Sequence, residues 1–80
     1  MKHIKIRILK RNYGSFRDVT VGKVYAAFVL APYENVPEAY WGYPGQRNDH
    51  KASLCFRDDE EYPCACGYDD TVNECFEIVE

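Results

Sequence analysis

Hydrophobic residues recur at every second position near the start of the chain, where Ile4, Ile6 and Ile8 alternate with Lys5, Arg7 and Leu9. Successive side chains leave a strand on opposite faces, so this period of two predicts a strand with one buried face. Residues 10–18 turn polar, and Asn12-Tyr13-Gly14-Ser15 carries turn chemistry. Val19-Thr20-Val21-Gly22-Lys23-Val24-Tyr25 follows, with Gly22 marking a bend or diverging turn into a second strand. Val24 to Leu30 is continuously apolar and rich in β-branched and aromatic side chains, which predicts a central strand covered on both sides. Lys51–Arg57, Tyr62–Cys66 and Cys75–Val79 read as three further short strands. Leu54 and Phe56 share one face of the third, and Phe76 and Ile78 share one face of the fifth. Pro63 places the fourth strand at an edge or a bulge. Asp58 to Glu61 forms a tight polar connection, and Gly67 to Glu74 a turn with room for one loop of 3₁₀ helix.

Residues 31–50 break the pattern. Pro32, Pro37 and Pro44 and the glycines Gly42 and Gly45 stand among Tyr33, Tyr40, Trp41 and Tyr43. Asn35-Val36-Pro37-Glu38 could cap a single helical turn, with asparagine at the N-cap and proline just inside. Otherwise this is a twenty-residue loop, and loops of that length in compact domains are usually functional. Five short strands, with long connections early and tight ones late, predict a small barrel.

Eighty residues support one domain, here 1–80, with a core small enough that a disulfide, a metal or a partner often assists. No run approaches the roughly 20 apolar residues that cross a bilayer, and the basic start lacks the apolar stretch of a signal peptide. A reducing cytoplasm is therefore the expected compartment. The net charge of −3 hides a segregation: seven basic residues against Asp18 alone in residues 1–30, and nine acids against Arg57 alone in residues 57–80. Either the two ends pair as strands and neutralise each other, or the molecule has one basic and one acidic face.

Three stretches carry a resemblance. Val21-Gly22-Lys23-Val24-Tyr25 after the first strand, Phe56-Arg57-Asp58-Asp59 at the hairpin, and Cys75-Phe76-Glu77-Ile78-Val79-Glu80 follow in that order. The set resembles small SH3-like proteins encoded by tailed bacteriophages. It implies a mostly β, SH3-like, five-stranded antiparallel barrel with the long aromatic and proline-rich loop, residues 31–50, inserted in it. It also implies a life spent subverting or retuning host machinery. The sequence departs from the pattern at Glu60-Glu61, which stands where a glycine is usual, and in the length of the aromatic loop. No site residue is carried over from the family.

Candidate chemistry narrows the picture further. Nucleophile elbows, zinc-protease helices and phosphate-cradling loops are missing, and the only histidines are His3 and His50. The expectation is a protein that binds rather than catalyses and that needs no cofactor. Tyr33, Tyr40, Trp41 and Tyr43 combine large contact area with few rotatable bonds, the composition of binding hot spots. The alternative is that some of these rings fold back to cover the open end of the barrel. Asp58, Asp59, Glu60 and Glu61 would steer a basic host protein, or would simply be solvated. The basic first strand offers a rival reading as a nucleic-acid-binding module. The four cysteines, Cys55, Cys64, Cys66 and Cys75, offer another as a small zinc-stabilised domain. With residues 57 and 62 flanking the acidic turn, Cys55 stands opposite Cys64, and Cys66 shares their face. Free thiols, a zinc site or a Cys55–Cys64 disulfide are all compatible with that register.

Overall fold

The computed structural model describes residues 1–11, 14, 16–41 and 45–79; Glu80, Tyr43 and the side chain of Trp41 are among what lies outside the described residues. Five strands form one open antiparallel sheet: β1 (Lys2–Ile8), β2 (Val24–Leu30), β3 (Ser53–Arg57), β4 (Pro63–Gly67) and β5 (Phe76–Val79). The order across the sheet is β4-β3-β2-β1-β5. Pro63 opens an edge strand, as its missing N–H requires. One helical turn, α1 (Glu38–Trp41), lies between β2 and β3, and another, α2 (Tyr68–Thr71), joins β4 to β5.

The alternating isoleucines do what their period demands. Ile6 and Ile8 are fully buried and face Tyr25, Ala27, Leu54, Phe56, Cys64, Cys66 and Phe76 on one side of the sheet. Phe16 and Val19, from the connection between β1 and β2, close over this face, and the Phe16 ring meets Phe56 edge-on at 5.4 Å. Each such side chain contributes on the order of 1.5–3 kcal/mol on burial. Gly22 enters β2 with a φ of 88°, in the left-handed region, while its N–H donates to the Ile8 carbonyl at 2.8 Å.

Three sequence expectations are corrected. The helical turn begins at Glu38 rather than just after Asn35, because Asn35 is occupied in a β-bridge with Arg47. Residues 31–50 are not a structureless loop. Val36 N–H donates to the Gln46 carbonyl at 2.8 Å, Asn48 N–H to Glu34 at 2.9 Å and Tyr33 N–H to Asp49 at 2.9 Å, so the arms of the loop pair with each other. Lastly, β2 is central but is not covered on both sides along its length. On its second face Leu30 is buried and Phe28 half-buried, whereas Ala26 is exposed and Val24 is 42% exposed.

Candidate binding surface

That uncovered half-face follows from where the 31–50 insertion lands. Val36 and Tyr40 pack on Leu30 and Cys55, with Phe28 and Ala65 beside them, forming a second, smaller core. The Tyr40 ring meets Phe28 edge-on at 5.0 Å. Its hydroxyl donates toward the carbonyl of Phe56 at 2.8 Å and lies against that of Cys64, two residues that face each other across β3 and β4. Burial, with the Cys55 and Cys64 thiols nearby, pushes the phenol well above its ordinary pKa, so it stays a donor. Asn48 ties down the base of the insertion: its side-chain amide donates to the carbonyls of Leu30, Ala31 and Lys51 and accepts from the Ser53 hydroxyl at 2.8 Å. Nothing in the hydrophobic pattern marks Asn48; its only signal is a place among Gly, Asn and Asp residues ahead of a strand.

Beyond Tyr40 the sheet is bare. Lys5 on β1 lies opposite Ala26 on β2, and Arg57 on β3 flanks Ala26 from the other side, one step past the Ala27–Phe56 pair. The Arg57 guanidinium is pinned by backbone: it donates to the carbonyls of Glu61 at 2.8 Å and Ala39 at 3.1 Å, and lies over the Tyr40 ring at 5.3 Å. Among the described residues no carboxylate pairs with Arg57, Lys5 or Lys2. The result is an open cleft of about 400 Å³ lined by His3, Ala26, Phe28, Tyr40, Arg57 and Glu61. A second depression of about 560 Å³ adjoins it, sharing His3 and Ala26 and reaching Ile4, Ile78 and Val79 where β5 runs along β1.

Comparison with known protein families, with curated proteins and with solved structures finds no match to this chain.

The residues expected to form a site are dispersed. Tyr33 is 63% exposed, with a left-handed backbone (φ 63°), whereas Tyr40 is buried and forms one wall of the cleft. Asp58 is buried; it accepts the backbone N–H groups of Glu60 and Tyr62 at 2.9 Å and of Asp18 at 3.3 Å. Burial raises its pKa, but those three donors, together with nearby Arg17, outweigh that effect and hold the carboxyl below the ordinary aspartate range. Asp59 binds Lys23, the Thr20 hydroxyl at 2.8 Å and the Tyr25 hydroxyl at 3.0 Å. Hydrogen bonds from Lys23 and then Thr20 hold its carboxyl low as well. Both aspartates therefore fasten the β3–β4 turn to the segment before β2. Glu60 and Glu61 are exposed, and Glu61 lines the cleft.

The cysteine register is also corrected. Cys55 faces Ala65, while Cys64 faces Phe56 and Cys66 faces Leu54. Cys55 therefore lies on the opposite face of the sheet from Cys64 and Cys66, which removes both the Cys55–Cys64 disulfide and a four-thiolate zinc site. All four cysteines are buried and outside any disulfide. Among the described residues no group of three or more His, Cys, Asp or Glu is placed to hold a metal.

The two ends of the chain do meet as strands. Arg7 pairs with Glu77 at 2.7 Å and Lys10 with Glu74 at 3.4 Å across the β1–β5 contact. Of the three Lys and Arg residues of β1, Arg7 is thus paired with the acidic last strand, and Lys10 just beyond β1 is paired with Glu74 just before β5.

Proposed function

We propose that this chain is an SH3-like protein-interaction module without chemistry of its own, encoded by a tailed bacteriophage, which binds a host protein and inhibits or retunes it. Two features support the fold assignment: the strand order β4-β3-β2-β1-β5 and the single helical turn between β4 and β5. The three resembling stretches fall at the entry to β2, at the β3–β4 hairpin and on β5. The observation that carries the binding role is the bare half of the second sheet face. A small exposed alanine occupies the middle of the central strand, between Lys5 and the pinned Arg57 and under the Tyr40 wall. Pre-positioned side chains around an apolar floor lower the ordering cost that association otherwise carries. No helix among the described residues is long and apolar enough to cross a membrane.

Ala26→Trp tests this reading, since it fills the cleft without altering charge. Immobilised wild-type and variant proteins are incubated with a bacterial host extract and the retained proteins are quantified. A host protein held by the wild type and lost by the variant, with thermal unfolding unchanged, is the expected result. Identical retention by both would remove the cleft from the binding surface.

A further inference from the structure

The module reading leaves open what kind of partner segment the cleft accepts, and the charge distribution around it is specific enough to decide. Among the described residues, four of the ten Lys and Arg side chains pair with carboxylates, namely Arg7, Lys10, Lys23 and Lys51. The cations at the cleft are among those that do not. Arg57 has its hydrogen bonds to carbonyl groups, which fix its position, and no carboxylate among the described residues pairs with it. Lys5 and His3 are exposed on the facing strand, and Lys2 borders the adjoining depression. Among the described residues one acid, Glu61, stands at the rim.

Strand spacing sets the pattern the site can read. Neighbouring strands lie about 4.8 Å apart, so Lys5 and Arg57, one strand to either side of Ala26, are roughly 10 Å apart at the backbone. Lys5 is long enough to reach a carboxylate seated over the alanine, opposite the fixed guanidinium of Arg57. Ala26 and Phe28 are two residues apart on the same face of β2, a rise of about 6.7 Å. An extended chain lying along β2 presents its own alternate side chains at that same interval. One side chain would sit between the two cations and the next against Phe28, Tyr40 and His3.

On the footing of the module reading above, we infer that the cleft binds a short extended peptide segment of the partner in which an acidic residue and an apolar residue alternate. A nucleic-acid strand fits less well. It needs a continuous basic track, whereas Glu77 beside Arg7 and Glu61 at the rim interrupt this one.

The test is an amide chemical-shift titration of the whole ¹⁵N-labelled protein with four probes. These are an octapeptide alternating glutamate and valine, the same peptide with glutamine for glutamate, the same with lysine, and a single-stranded oligothymidylate. The acidic peptide is expected to shift His3, Lys5, Ala26 and Phe28. Lys5→Glu, at an exposed position with no ion-pair partner among the described residues, is expected to weaken that binding at least tenfold without altering the remaining spectrum. If the glutamine or lysine peptide binds the same residues as tightly, the acidic specificity is wrong while the binding role of the cleft stands. Tighter binding of oligothymidylate there would overturn the inference in favour of nucleic acid. If no probe perturbs those amides, the inference fails outright, and the Ala26→Trp comparison then decides separately whether the module reading fails with it.

Discussion

Tyr40 sets one hydroxyl against the carbonyls of Phe56 and Cys64, which are already neighbours in the β3–β4 ladder, so it adds a second partner to groups that have a first. Its removal in Tyr40→Phe should therefore cost about 1 kcal/mol in urea unfolding, the ordinary net worth of such a bond. Tyr40→Ala, which also empties the space against Phe28 and Cys55, should cost about 3–5 kcal/mol. Equal losses for the two variants would mean that the ring contributes nothing. Asp58 acts by charge and carries a pH signature. The folded state holds its carboxyl below the ordinary value, so the unfolded chain binds its proton more tightly. The stabilisation is whole above the unfolded pKa of about 3.9 and is lost as pH falls through the lower folded value. Asp58→Asn removes this titration, and its urea midpoint should fall less steeply below pH 4 than that of the wild type. Some slope will remain from Asp59, which is also held low. An acid limb as steep as the wild type's would show that Asp58 does not titrate there.

The β3–β4 hairpin shows at the level of an element how one turn residue sets a register. Asp58 N–H donates to the Tyr62 carbonyl at 3.0 Å, so the loop holds three residues, Asp59, Glu60 and Glu61, and Glu61 takes the left-handed conformation at φ 62°. Three-residue hairpin loops commonly end on such a residue, and glycine adopts it without the Cβ penalty. Glu61→Gly should therefore leave stability unchanged or raise it by up to about 1 kcal/mol, with the strand register intact. A loss greater than 1 kcal/mol would mean that the glutamate side chain contributes more than its backbone costs. The strands themselves were legible because period-two patterns at Ile4–Ile8 and Leu54–Phe56 survive any single turn. The register was not, because a charged turn such as Asp58-Asp59-Glu60-Glu61 does not announce which glutamate adopts positive φ. A slip of one residue moves every side chain to the other face, and Cys55 moved with it. The cleft was hidden for a related reason. It lies where an insertion stops covering β2, and the apolar run Val24–Leu30 reads the same whether its second face is covered or bare.

Across the whole molecule the two cores differ in size and in how they are held. The larger joins all five strands with Phe16 and Val19 closing over it, while the smaller depends on Val36 and Tyr40 of a single insertion. Units with fewer buried contacts open at lower free energy than the global transition. The cysteines sample both layers: Cys55 lies under the insertion and Cys66 in the main core. Burial pushes the Cys55 thiol up to about 12 and the Cys66 thiol to about 11, so neither reacts appreciably near neutral pH until it is exposed. In two variants that keep only Cys55 or only Cys66, thiol labelling of the native protein should proceed faster at Cys55. Its rate should depend weakly on urea, because lifting the insertion exposes little surface. Labelling at Cys66 should follow global unfolding and depend on urea with the full equilibrium slope. Adding Tyr40→Phe should speed Cys55 labelling relative to the Cys66 variant carrying the same change. If both sites label at one rate with one urea dependence, the insertion and the sheet unfold as a single unit. The wall of the cleft would then be as fixed as its floor.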